Sequence, residues 1–475
     1  MRLKALVALW LATAIGCMGC APHGVDAVGP VFDGSLHHQS LLPLPAGETL
    51  TRAEGPQRLV KAPHPLPAGE GENILTLRQA LALALLQNPE LAAFSWEVRA
   101  AEARTLQASL RPNPELGLEV ENLAGSGAFQ GVRSTQTTIR LSQLIELGGK
   151  RSRRLRVAAL ERDLTAWDYE TKRLDVLTAV TQAFVEVLRA QERLGAEEEL
   201  VGLAAQVLAT VAERVKAGKA SPVEETKARV ALSNSRIALE RARSDLEATI
   251  QRLVAAWGGT PSFQYAVGAF ESIAALPSVE QLAQGLAHNP DLARWSTEIQ
   301  QRQAARGLAQ AQTIPDVTAG GGVRHVNESG DVTFVFSLSV PLPVFNRNQG
   351  ALLETQYRLA KAEEERRAAV VRVHTALGTT YATLTAAWRE VTTLQNEVLP
   401  DARRVFEAVN EGYRQGKFGL LDMLDAQRTL FEARGQYIDA LAAYHKAITE
   451  AERLSGGALD SASDTATPRR PGAQP

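Results

Sequence analysis

Cysteine is almost absent from this chain. Only Cys17 and Cys20 occur among 475 residues. If Cys20 carries an anchor after processing, no thiol remains to pair, which excludes a disulfide framework and a thiolate metal site. An excess of one charge is also lacking. Lys and Arg number 51 against 53 Asp and Glu, a formal net charge of -2. No bulk attraction draws such a chain to nucleic acid, and no nucleic-acid partner is expected. Catalytic signatures are missing as well: no phosphate-binding loop, no Ser-His-Asp set in a recognisable context and no Cys/His metal spacing. Among the 8 histidines, His37-His38 is the one adjacent pair, and His325, His374 and His445 are scattered. Glu197-Glu198-Glu199 and Glu363-Glu364-Glu365 are consecutive, so their carboxylates point to different sides of a helix and read as solvated faces. No enzyme activity, no cofactor and no resident metal are expected.

A long hydrophobic run is missing too. Arg2 and Lys4 precede an apolar stretch over residues 5–15, short of the roughly 20 residues of a spanning helix. Residues 1–20 therefore read as an export signal. Ala14-Ile15-Gly16-Cys17 and Cys17-Met18-Gly19-Cys20 both resemble a bacterial lipoprotein cleavage box, without its usual Leu three positions before the Cys. Lipid attachment is expected at Cys20 (or Cys17), with Cys20 favoured by Gly19 before it and Ala21 after it. No Asp follows either Cys, which suits an outer-membrane address. An ordinary cleaved signal with incidental cysteines is the alternative.

What the chain does have is a repeat. Asn88-Pro89-Glu90-Leu91 returns as Asn289-Pro290-Asp291-Leu292, 201 positions later, and Pro114 returns as Pro315 at the same offset. Val215-Lys216-Ala217-Gly218-Lys219 is echoed by Tyr413-Arg414-Gln415-Gly416-Lys417 at offset 198. A unit of this size far exceeds solenoid and propeller periods of about 20 to 50 residues. Each half is a large supersecondary block.

Residues 21–73 are irregular, rich in Pro, Gly and His. The first repeat, 74–257, opens with a helix from Leu75 to Leu86. A second helix follows, with Asn88 as N-cap and Pro89 at its first position. Then come a β-hairpin (115–142), a long helix (152–217) and a return helix (223–257). Residues 258–287 form a connector broken by Gly258, Gly259, Pro261 and Pro277. The second repeat, 288–455, places a helix, a hairpin (316–341), a long helix (349–415) kinked at Pro400, and a return helix (420–454). Residues 456–475 read as a disordered tail. A proline-free helix over 152–217 would extend roughly 100 Å, and helices beyond about 25 residues demand a coiled or barrel arrangement. Leu116, Leu118 and Val120, then Thr137, Ile139 and Leu141, form one face of the first hairpin. Val317, Ala319, Gly321 and Val323, then Val332, Phe334, Phe336, Leu338 and Val340, form one face of the second. Strands of about ten residues with one apolar face suit a transmembrane barrel, although alternation equally describes a soluble hairpin packed on helices. One basic run, Lys150, Arg151, Arg153, Arg154 and Arg156, reads as a solvated helix face or as a contact with membrane phosphates.

An exported chain with a duplicated helix–hairpin–long helix–return helix unit resembles the TolC-like outer-membrane factors of tripartite efflux pumps, over about residues 74–456. Leu141-Ser142-Gln143-Leu144-Ile145-Glu146-Leu147-Gly148-Gly149-Lys150-Arg151 and Val340-Pro341-Leu342-Pro343-Val344-Phe345-Asn346-Arg347-Asn348-Gln349-Gly350 look like the two hairpin exits of its CzcC-like heavy-metal subgroup. The resemblance implies a mainly α fold with a transmembrane β part. Each protomer would supply four β-strands to a 12-stranded barrel that closes as a homotrimer, above a long α-helical barrel in the periplasm. It implies an outer-membrane exit duct, a passive conduit for heavy-metal cations, in contact with outer-membrane lipid. Its partners would be a periplasmic adaptor and an inner-membrane RND pump. Tyr413, Asp422 and Asp425 match the family's tip pattern and imply a pore gate with rings of carboxylates. In the first half Glu224 and Lys227 stand at the acidic positions, and Phe418 replaces the family's gate-locking Arg. The turns at Gly218 and Gly416 imply adaptor-docking tips. The competing reading is a periplasmic coiled-coil adaptor or scaffold lipoprotein.

Overall fold

The computed structural model describes residues 74–261 and 263–456. The export signal, Cys17, Cys20, His37-His38, the segment 21–73 and the tail beyond Gly456 lie outside the described residues. The first half runs β1 (Ile74–Thr76), α1 (Leu77–Gln87), α2 (Pro89–Ser109), β2 (Glu115–Glu121), β3 (Gln136–Ile145), α3 (Lys150–Lys216) and α4 (Pro222–Ala255). The connector holds β4 (Tyr265–Val267) and α5 (Val279–Gly285). The second half runs α6 (Pro290–Ala311), β5 (Val317–Val326), β6 (Asp331–Ser339), α7 (Gln349–Thr393), a π turn (Leu394–Val398), α8 (Leu399–Arg414) and α9 (Leu420–Ser455).

Local chemistry accounts for the helix starts. Asn88 and Asn289 cap α2 and α6, each followed by Pro at the first helical position. The first helix begins at Leu77, two residues later than the periodicity suggests. Thr76 and Gln79 exchange reciprocal bonds as a capping box there. Leu75 instead joins β1, which pairs in parallel with β4 of the connector. α3 is one helix of 67 residues, about 100 Å long at 1.5 Å per residue. Its counterpart is interrupted. Pro400 has no N–H to donate and its ring crowds the carbonyl four residues earlier. The helix widens immediately before it, with Leu399 N–H donating to the Leu394 carbonyl. The kink expected at Pro400 is thus a π turn over 394–398.

The long helices pack side by side with the shorter ones: α3 lies against α2, α4, α6 and α9, and α7 against α6 and α9. The main core sits at mid-length. Val180, Phe184, Leu384 and Leu441 meet Trp257, at the end of the first half, and Phe263 and Phe270 of the connector there. A second, small core closes the end of the helices farthest from the sheet. Among the described residues no helix is long and apolar enough to cross a membrane.

Both hairpins merge into one antiparallel sheet of order β2-β3-β5-β6. The central pair joins the two halves, from Gln136↔Val326 to Ile145↔Val317. β2 is shorter than the expected ten residues, with 7, and Val340 lies just beyond β6. Gly322 is demanded by close approach, because a Cβ there would meet the Ile139 carbonyl and the Arg140 backbone.

Candidate functional site

The sheet's two faces differ in a way no soluble core explains. Leu116 stands opposite Leu141, Leu118 opposite Ile139, and Phe334 and Phe336 opposite Val323 and Gly321. This apolar face is open: Phe336 is 79% exposed and Leu116 76%. The other face carries the charges. Arg140 pairs with Glu119 at 2.5 Å, and Arg324 with Glu121 at 2.9 Å. Arg324 also donates to Thr138 and Gln136, each at 3.0 Å. Apolar side chains turned outward with paired ions inside is the pattern of a barrel wall in lipid. Among the described residues β2 and β6 each have one strand neighbour, so two edges carry unpaired backbone groups.

At the opposite end, both long helices finish in the same turn. Gly218 (φ 67°) and Gly416 (φ 77°) adopt the left-handed conformation that glycine takes without steric penalty. Lys219 N–H donates to the Arg214 carbonyl at 2.8 Å, and Lys417 N–H donates to the Gly412 carbonyl at 2.8 Å. The chain then turns back. Ser221 accepts from Val223 N–H to start α4, and the Asp422 carboxylate accepts from Gly419 N–H at 2.9 Å to start α9.

Tyr413 lies inside this tip, packed with Val207, Val211, Ala228, Leu420 and Met423. The Arg214 guanidinium covers its ring, 4.6 Å from the centroid, and donates to its backbone carbonyl at 2.6 Å. The Tyr413 hydroxyl has no partner among the described residues. Burial pushes its pKa up, with Arg214 acting against the shift. Phe418 packs on Gly412, where a Cβ would overlap its ring. Asp422 and Asp425 are both exposed at the start of α9, while Met423, Ala426 and Gln427 turn inward. Asp425 also receives Arg428 at 2.7 Å. The structure therefore brings Tyr413, Gly416, Asp422 and Asp425 to one tip, with Tyr413 in its core and the two acids on its surface. Sequence reasoning missed Arg214. Its signal was present: at the repeat offset it aligns with Gly412, so one half carries a large cation where the other carries no side chain.

Elsewhere, His445 is half-buried beside the core, with Nε2 at 2.7 Å from the Phe270 carbonyl and its ring stacked on Phe270. Among the described residues, no three His, Cys, Asp or Glu side chains converge in a metal-binding arrangement.

A family model described as "Outer membrane efflux protein" matches residues 80–259 and 282–457. The cobalt-zinc-cadmium resistance protein CzcC of Cupriavidus metallidurans is 36% identical over 389 residues, covering 82% of this chain and 91% of that protein. The nickel-cobalt-cadmium resistance protein NccC of Alcaligenes xylosoxydans xylosoxydans is 28% identical, covering 60% of this chain and 64% of that protein. The Campylobacter jejuni CmeC outer membrane channel superposes with a TM-score of 0.68 at 17% identity, covering 86% of this chain and 94% of that one. With a family model matched once to each half of the repeat, and a relative this similar over most of both lengths, the chain belongs to the outer membrane efflux protein family.

Proposed function

We propose that this protein is the outer-membrane exit duct of a tripartite RND-type pump that exports heavy-metal cations. It acts as a passive conduit with no catalytic step. The observation that carries the reading is the sheet, open and apolar on one face and ion-paired on the other. Similarity to CzcC and NccC, named for resistance to cobalt, zinc, cadmium and nickel, supports the cation class.

A four-stranded sheet in lipid would leave the outer edges of β2 and β6 unpaired, at several kcal/mol per exposed group. Three copies supply twelve strands and abolish the edges, so the working unit is a homotrimer. The tips at Gly218 and Gly416 dock the periplasmic adaptor. Asp422, Asp425 and Tyr413 belong to the pore gate, with the two acids facing the passage. A lipid on Cys20 or Cys17 anchors the chain to the outer membrane. Cell fractionation tests the reading. We expect a heat-sensitive trimer in outer membranes and loss of cobalt, zinc or cadmium resistance on deletion. A monomer released by salt would refute it.

A further inference from the structure

A belt of arginines borders the end of the sheet nearest the helices. Arg111 stands between α2 and β2, Arg151 and Arg156 in the first two turns of α3, and Arg347 between β6 and α7. Two other cations of the belt are neutralised. Lys150 pairs with Asp316 at 2.7 Å, and Arg154 pairs with Glu146 at 2.6 Å. Arg154 also donates to the Ala108 and Leu110 carbonyls, which ties α3 to the end of α2 beside Arg111. Arg151 lies one turn before Arg154 along α3, at the spacing that puts two side chains on neighbouring positions of a helix. Among the described residues, no carboxylate lies within ion-pair distance of Arg111, Arg151 or Arg156, and all three are exposed. The far end of the sheet carries the opposite sign. Arg133 stands there against Glu328 and Asp331.

These cations do not serve the helix. α3 has no acidic residue in its first turn, and its dipole disfavours positive charge there. They are interleaved with apolar side chains that no described residue of the protomer covers: Phe345 is 90% exposed, Leu342 80% and Leu110 50%. Beside Arg111 a cleft of about 530 Å³ opens between α2 and α3, with Leu110, Pro112 and Val157 in its wall beside Arg104, Arg154 and Glu161. Guanidinium groups next to exposed aliphatic and aromatic surface, bordering an apolar sheet face, match an anionic phosphodiester joined to an acyl chain. A free phosphate would leave the apolar half of the belt without a role.

We propose that this belt seats anionic phospholipid headgroups of the leaflet nearest the helices. Arg111 and Arg151 hold the phosphate, Arg156 adds charge, and the acyl chain passes over Leu110 onto the apolar face of the sheet. The proposal rests on the reading that the sheet spans a membrane. The test uses the full-length trimer in vesicles of phosphatidylcholine alone and of phosphatidylcholine mixed with phosphatidylglycerol, with bound lipid counted by native mass spectrometry. Each arginine near an anionic surface is worth roughly fivefold in lipid affinity. The wild type should therefore enrich phosphatidylglycerol at least about tenfold, less at high salt. R111Q/R151Q/R156Q should lose the enrichment while inserting into pure phosphatidylcholine as well as the wild type does. If the triple variant fails to insert, single R111Q and R151Q are read, each losing about fivefold. Enrichment unchanged in these variants, absent from the wild type, or abolished by excess inorganic phosphate would overturn the proposal. Failure of the wild type to enter either vesicle would instead overturn the membrane reading, and the belt with it.

Discussion

Asn289 ties the start of the second half to its end: its Nδ2 donates to the Leu454 carbonyl at 2.8 Å, across 165 positions of sequence. Its Oδ1 accepts from Asp291 N–H at 2.7 Å, capping α6. Asn88 repeats both bonds in the first half, to the Ala256 carbonyl at 2.6 Å and from Leu91 N–H at 2.8 Å. One side chain thus starts a short helix and stops a return helix, so the duplicated Asn-Pro is a clasp for each half. Asn289 is 1% exposed. Asn289→Ala removes a cap and orphans a buried carbonyl, for about 1–3 kcal/mol. Asn289→Asp keeps the cap acceptor but sets a buried carboxylate oxygen against the Leu454 carbonyl, and should cost at least as much as Asn289→Ala. Thermal melts followed by far-UV circular dichroism check the order; an unshifted Asn289→Ala would contradict it.

The sheet's faces should tolerate charge unequally. Phe336 sits near mid-sheet on the open apolar face and Ser337 on the ion-paired one. Phe336→Arg should destabilise the barrel by about 2–4 kcal/mol, and Ser337→Arg by little. Denaturant titration of folding into vesicles measures both. Equal tolerance would argue against a membrane wall.

Tyr413 owes its place to its ring. Because the hydroxyl has no partner among the described residues, Tyr413→Phe should be neutral or slightly stabilising. Tyr413→Ala should cost about 3–5 kcal/mol at the tip core. Single-channel recordings add a second readout. A pore that opens more readily in Tyr413→Phe would give the hydroxyl a part in the proposed gate.

Asp422→Asn with Asp425→Asn tests the gate without unmaking the turn, since an Asn side chain still offers Gly419 N–H an acceptor. Rings of three carboxylates around a narrow pore focus a negative potential. The double variant should show weaker cation preference and less block by multivalent cations from the periplasmic side. Identical reversal potentials in a salt gradient would remove these residues from the selectivity ring.

His445 makes the mid-length core sensitive to mild acid. Burial lowers its pKa from 6.5, against the opposing bond to the Phe270 carbonyl. The unfolded chain then binds a proton below pH 6.5 that the folded chain refuses, so this contribution is complete above 6.5 and is lost as pH falls toward the lowered folded value. His445→Gln should flatten the fall in melting temperature between neutral and mildly acidic pH. Parallel curves for the two proteins would refute the assignment.

Much of this molecule was legible in the sequence because its determinants are local. The Asn-Pro helix starts, the proline-free long helix, the two-residue alternation of the strands and the left-handed glycines at the tips each depend on bonds within a few residues. Those bonds could be deduced from residue type and spacing. The tertiary structure alone decided the rest. The order β2-β3-β5-β6 needs Gln136 to find Val326, and no local pattern announces that pairing. Leu75 leaves its helix because the connector offers a strand to pair with. The widening before Pro400 settles where the helix absorbs a lost bond. Tyr413 carries a tip motif in the sequence, but its burial beneath Arg214 was set by a neighbour 199 positions away. Such arrangements take their energy from surfaces and hydrogen bonds that exist only once distant segments meet, which is why spacing along the chain could not disclose them.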